Sequence, residues 1–264
     1  MEQAQLDELH LWFEKYVQTY NDIDAEGFRN IQLKVKHTRK VCEVMELLAA
    51  GEGLTHEEAR IAAAVALLHD VGRFPQFRRW RTFRDSDSDN HAHLGIEVIR
   101  QHGVLDELPA TERLLIEEAV RFHNLLALPL RFKSPTSLYI HLIRDADKLD
   151  IWRVFLDYFQ QPKDQRPSAV TLGFPDRPEL SPACVRELAA GRVIRLEDVR
   201  VLNDFKLLQI SWIYDLNFRS TYSLLKQRGH IPALAATIPP DDDAAQAVAQ
   251  AVATIDMKAQ EEIT

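Results

Sequence analysis

Apolar residues recur along this chain at a period near 3.6 with polar residues between them, so the pattern predicts α-helices almost throughout. No Val/Ile/Thr-rich stretch alternates at period two for long enough to suggest a sheet. The first predicted helix runs from about Glu2 to Tyr20 and the second from about Phe28 to Ala50, ending at Gly51 and Gly53. Thr55 with Glu58 three residues later forms a capping box for a third, which runs to about Val71 and stops at Gly72. Arg73 to Asp89, rich in arginine and aspartate, reads as a long polar loop of the kind that carries function. Asn90 caps a short helix ending near Gly103, Thr111 caps another through Phe122, and Ser134-Pro135 opens a long one through about Phe159.

The segment QPKDQRPSAVTLGFPDRPELSP, with five prolines, then reads as an irregular connection or lid. Helical patterns follow at Pro182 to Ala190, Leu196 to Asn203 and Phe205 to Gln227, and an Ala-rich surface helix begins at Asp241. The expectation is an all-α protein: a helical core over residues 1–160, and a Pro-rich connection with a helical extension over 161–264 packed on the same core.

Composition narrows the partners. The net charge of -8 offers no broad basic surface for a nucleic-acid polymer. No apolar run approaches the roughly 20 residues that cross a bilayer. Two cysteines form no disulfide framework, and the opening MEQAQLDELHLWFEKY has no basic stretch leading into an apolar run, so a cytoplasmic location is expected. Homo-oligomerisation stays open.

The ten histidines change the picture, because several fall on the apolar rows of their helices. His37 lies in line with Val41, Val44, Met45 and Leu48; His69 continues Ile61, Val65 and Leu68, with Asp70 beside it. His91 aligns with Gly95 and Val98, and His123 extends Ile116, Ala119 and Val120. On the long helix Asp147 sits with Ile140, Ile143, Ile151 and Val154, but Asp145 shares a row with Leu138, Leu142, Leu149 and Trp152, so spacing does not choose between them. One such residue alone would be an ordinary hydrogen-bonded core group. Five helices each aiming an ionisable group inward would be costly without compensation, and a divalent cation removes the cost. Imidazoles and carboxylates without thiolates suit Mn, Fe, Co, Ni or Zn. The remaining histidines, His10, His56, His93, His102, His141 and His230, have ordinary surface, helix-end or packing roles.

LLHDVGRF (67–74), preceded by KHTRKV (36–41) and followed by IRDADKLD (143–150), closely resembles the HD superfamily of metal-dependent phosphohydrolases over about residues 28–160. The resemblance implies a helical bundle in which His37, His69, Asp70 and Asp147 are the core metal ligands, Ala146-Asp147-Lys148-Leu149 fitting the family's last motif. NHAHLG (90–95) and VRFHN (120–124) look like the positions that supply a second metal in several subfamilies, which implies His91 and His123. Asp70 would then bridge two ions roughly 3.5 to 4 Å apart. Asn124 after His123 and the lack of Gly-Tyr-Pro depart from the cyclic-dinucleotide branch.

The implied reaction is attack by a metal-activated water on a small phosphate ester, a nucleotide among the candidates, with Asp70, Arg73 and Lys148 as catalytic residues. No side-chain nucleophile is required: Cys42 has no paired base and no Gly-x-Ser-x-Gly occurs. Arg78, Arg79, Arg81 and Arg84 are expected mostly to pair with Asp85, Asp87 and Asp89. The same ligand set also serves HD-fold di-iron oxygenases, the alternative reading, and a non-catalytic metal-containing sensor is the third.

Overall fold

A computed structural model describes residues 1–129 and 132–261. Among them there is no β-strand, and the chain divides into two compact units, the first made of residues 1–150 and 162–172, the second of 151–161 and the rest. No helix of the described residues is long and apolar enough to cross a membrane.

The first unit contains α1 (Gln3–Gln18), α2 (Ala25–Gly51), α3 (His56–Leu68), α4 (Arg73–Trp80), α5 (His91–Gln101), α6 (Ala110–Phe122) and the beginning of α7 (Thr136–Gln160). Local signals set most of the boundaries. Asp24 accepts from Gly27 N at 2.8 Å, Thr55 and Glu58 form the reciprocal capping box, and Asn90 accepts from Ala92 N and His93 N. The start of α6 differs from the expected Thr111 cap: Pro109 occupies the cap position, and the helix begins one residue before Thr111.

The larger difference is α4, which occupies the first half of the expected polar loop. Pro75 stands in its first turn, where a missing N–H breaks no helical hydrogen bond. Phe74 and Phe77 are buried, Phe74 meeting Phe13 and Tyr16 edge-on. Gln76 is buried because its amide donates to Asp85 at 2.8 Å, Ser88 at 2.8 Å and Asp89 O at 3.0 Å. Arg81 then takes a left-handed conformation and ends the helix.

Gly72 allows the approach that builds the site. A Cβ there would stand 2.1 Å from His91 O and 2.4 Å from Gly95 N, so glycine lets the N-terminus of α5 lie directly against the turn after His69-Asp70. Part of the Pro-rich segment also folds onto this unit, where Asn30 donates to Ser168 and accepts from Ala169 N.

In the second unit, α8 (Pro182–Ala189), α9 (Leu202–Ser211), α10 (Arg219–Arg228), α11 (His230–Ala235) and α12 (Asp242–Gln260) join the end of α7. Every residue of α9 is buried. The expected helix from Leu196 to Asn203 is only a 3-10 turn at Leu196–Asp198, because the Asp204 carboxylate takes the N–H groups of Arg200 and Val201 and so starts α9 later. The expected continuous helix from Phe205 to Gln227 breaks at Trp212–Asp215, where Tyr222 Oη donates to Ile213 O at 2.8 Å and Leu216 O at 3.3 Å. α12 buries only the stripe Ala244, Ala247, Ala251 and Ile255.

Candidate metal centre

Four helices aim imidazoles at one point. α2 carries His37, the end of α3 carries His69 and Asp70, α5 begins with His91, and α6 ends at His123, all five side chains being buried. α7 adds Asp147, 21% exposed, which marks the side on which the cluster opens. The structure brings Asp147 to the cluster: its Oδ1 lies 3.0 Å from His37 Nε2 and 3.8 Å from His69 Nε2.

Asp70 stands at the middle. Its Oδ2 lies 3.6 Å from both His37 Nε2 and His69 Nε2, and its Oδ1 lies 3.6 Å from His91 Nε2. Donor atoms therefore fall into two groups that share this carboxylate, His37–His69–Asp70 and Asp70–His91–His123, each within 4.8 Å. Such sharing is how a carboxylate serves two cations at once.

All four imidazoles are oriented by the same device. Nδ1 donates to an oxygen: His37 to Asp150 at 2.7 Å, His69 to Ala66 O at 2.8 Å, His91 to Asp85 at 2.7 and 2.9 Å, and His123 to Val120 O at 2.7 Å. The neutral rings of His69, His91 and His123 thus turn an unprotonated Nε2 into the cluster. His69 Nε2 is buried with no hydrogen-bond partner, and the Nε2 atoms of His91 and His123 face each other at 3.0 Å. Convergent lone pairs in a buried site fit a borderline divalent cation and fit little else. Arg144 of α7 holds the end of α6 by donating to His123 O at 3.2 Å.

Electrostatics agree with that assignment. Burial pushes His91 and His123 down to about 4, Arg73 adding to the effect on His91 and His69 to that on His123. Burial likewise lowers His69. Burial and Lys34 oppose protonation of His37, but the bonds to Asp147 and Asp150 raise it on balance. Burial alone would raise Asp70, yet Lys34, His69, Arg73 and His91 together hold it well below the usual carboxylate range. Asp147 is depressed against its burial by His37 and His69.

Two cations border the carboxylate. Arg73 Nε lies 3.3 Å from Asp70 Oδ1, and its Nη1 donates to Gln76, Phe83 O and Asp85. Its Nη2 makes no hydrogen bond among the described residues. Lys148, the other expected cation, is buried, 9% exposed, and follows Asp147 on α7. An ammonium at Asp70 that the sequence did not single out is that of Lys34, 2.7 Å from Oδ2. Lys34 stands one turn before His37, a spacing that could have drawn attention to it. Asp85 and Asp150 were also missed as partners of ligand histidines.

The loop arginines mostly pair elsewhere than with the loop aspartates. Arg78 donates to Thr19 O at 2.5 Å, Arg79 lies over Trp80, Arg81 pairs with Asp24, and Arg84 reaches Asp87 at 3.7 Å and Leu172 O at 2.5 Å. His10, His56 and His93 are exposed, and His102 packs edge-on against Trp12 and Tyr16.

The HD domain family model matches residues 35–152, a stretch that holds His37, His69, Asp70, His91, His123 and Asp147. Neither the curated proteins nor the solved structures contain a significant match to this chain.

Proposed function

Residues 35–152 match the HD domain family, and from that premise we propose that the protein is a metal-dependent phosphohydrolase that holds two divalent cations and hydrolyses a small phosphate ester. The observation that carries the two-metal part is the 3.0 Å approach of His91 Nε2 to His123 Nε2, in a donor group that shares Asp70 with His37 and His69, His91 approaching Oδ1 where His37 and His69 approach Oδ2. His37, His69 and Asp147 would hold one cation, His91 and His123 the other, and Asp70 both.

Divalent ions in such a position lower the pKa of bound water to near neutral and offset charge on phosphoryl oxygens. The chain supplies the rest. Asp70 fixes the spacing of the two donor groups, and the Nδ1 bonds to Asp150, Ala66 O, Asp85 and Val120 O hold the rings so that little reorganisation accompanies the reaction. Arg73 Nη2 and the Lys34 ammonium, both on side chains paired with Asp70, would be the donors for substrate oxygens. A centre buried to this degree favours a compact phosphoryl group over a polymer.

The test is elemental analysis of protein purified without chelator, followed by phosphate release from a panel of esters that includes nucleoside monophosphates, with Mn, Fe, Co, Ni and Zn in turn. Asp70→Ala should lose both metals and all phosphate release. Activity that survives this substitution removes the proposal. Aerobic iron with a mixed-valent paramagnetic signal and no phosphate release replaces it with di-iron oxygenase chemistry.

A further inference from the structure

The two halves of the centre follow one rule. In each, one imidazole donates to the carbonyl three residues earlier, His69 to Ala66 and His123 to Val120, and the other donates to a carboxylate, His37 to Asp150 and His91 to Asp85. The two carboxylates are set differently. Asp150 is 1% exposed and lies on α7 one turn beyond Asp147, so it arrives with the ligand helix itself. Asp85 lies in a 3-10 turn, its side chain 31% exposed, outside every helix that carries a ligand.

Asp85 is nevertheless bonded to several side chains around the second donor group. Besides both bonds to His91 Nδ1, it accepts from Arg73 Nη1 at 3.0 Å, Gln76 Nε2 at 2.8 Å, Asn124 Nδ2 at 3.2 Å and the His91 backbone N at 3.4 Å. Arg73 in turn reaches Asp70, and Asn124 follows His123 in the chain. One carboxylate thus ties together the elements that present all three donors of the Asp70–His91–His123 group. A carboxylate on Nδ1–H fixes the tautomer and ring direction of a ligand imidazole and makes its Nε2 a stronger donor.

We propose that Asp85 is the positioning residue of the second metal position, and that its 3-10 turn sets the occupancy of that position independently of the first. The inference rests on the two-metal reading above.

The experiment is a cobalt(II) titration of chelator-stripped full-length protein, followed by visible absorption and calorimetry, for wild type, Asp85→Asn and Asp85→Glu. Wild type should take up cobalt in two steps. Asp85→Asn should leave the first within about twofold and weaken the second by about 10- to 100-fold, the usual effect of losing such an outer partner. Asp85→Glu, which restores the carboxylate, should recover most of that loss. An Asp85→Asn protein with an unchanged second step, or with both steps weakened alike, overturns the inference while leaving two-metal binding intact. A single step in wild type instead removes the two-metal reading, and the inference with it. A further measurement needs no variant: in the zinc-loaded wild type, long-range 1H–15N correlation should show the His91 proton on Nδ1. A His91 proton on Nε2 would overturn the inference even if Asp85→Asn failed to fold.

Discussion

His91 Nε2 lies 3.0 Å from His123 Nε2, and neither atom carries a proton, because each ring has its Nδ1 proton committed to an oxygen of Asp85 or Val120. Two lone pairs at that separation repel. Burial opposes protonation of either ring, so the protein does not relieve the contact with an imidazolium. A cation held between them and Asp70 would.

His91→Ala should therefore reduce bound metal from two ions per chain to one, and His123→Ala should do the same. Both variants keep His37, His69, Asp70 and Asp147, so the first ion should remain. Elemental analysis after desalting measures this directly. An unchanged metal-to-protein ratio in both variants would show that these imidazoles are a packed pair without an ion.

Arg73 commits Nε and Nη1 to Asp70, Gln76, Phe83 O and Asp85, which leaves Nη2 for the proposed contact with phosphate. Arg73→Ala should lower kcat/KM for a phosphate ester by about 10- to 100-fold, the range for losing a charged hydrogen bond to substrate. Arg73→Lys should recover little, since an ammonium cannot contact Asp70, Phe83 O and substrate in the guanidinium's planar fork. Steady-state kinetics at saturating metal tests this, and a wild-type kcat/KM in Arg73→Ala would assign Arg73 wholly to structure.

At Gly72 the space is closed by backbone. A methyl group would meet His91 O at 2.1 Å and Gly95 N at 2.4 Å, and neither atom can rotate away. Gly72→Ala should cost about 1 to 3 kcal/mol of stability. Because His91 itself must shift, it should also weaken the second metal step more than the first. Chemical denaturation with a parallel metal titration follows both effects, and a variant with wild-type stability would show that α5 stands farther from the turn than these distances require.

The centre was largely legible in the chain because helical periodicity puts chemistry and packing on the same row. His37, His69, His91 and His123 each continue an apolar stripe, and the structure brings their side chains together around Asp70; Asp147 shares that pattern with Asp145, and only the family resemblance singled it out. What escaped was whatever leaves the stripe. Lys34 sits beside the row as a charged residue, and Asp85 sits in a turn with no period at all, so each is placed only by its partners in space. α4 was hidden because Gln76, polar in sequence, is buried through its bonds to Asp85, Ser88 and Asp89. In the second unit α9 has no polar face: Asn203, Asp204, Lys206 and Gln209 are buried with Leu207 and Ile210, so periodicity could not locate its ends.

Neither cysteine should react in the native state. Burial pushes Cys42 up to about 12, with Glu46 and Glu43 adding to the shift, and burial pushes Cys184 to about 12, with Asp204 and Asp198 adding. At pH 8 the thiolate fraction of each is then roughly one in ten thousand, and the thiolate is the nucleophile. A chromogenic disulfide reagent should detect no rapid thiol in native protein and both in urea. A fast native thiol would mean that one of these sites opens to solvent.

The acid side of the stability profile should report the buried imidazoles. In metal-free protein His91 and His123 titrate at about 4, against 6.5 for an ordinary histidine. Between those values the unfolded chain binds more protons than the native chain, so unfolding becomes easier as pH falls. His69 is lowered too and acts in the same direction. His37 is raised, so its contribution is complete below 6.5 and is lost only as pH rises above that value. Asp70 and Asp147 are depressed, so their contribution stays complete above about 3.9, the unfolded carboxyl value, and cannot offset the loss. The urea midpoint in chelator should therefore fall steadily from pH 6.5 to 4. The total loss should be a few kcal/mol, since each tenfold difference in proton affinity between the native and unfolded chains is worth about 1.4 kcal/mol. A midpoint that stays level across that window would mean that the four rings are hydrated, and that the cation site is not a dry, preformed cluster.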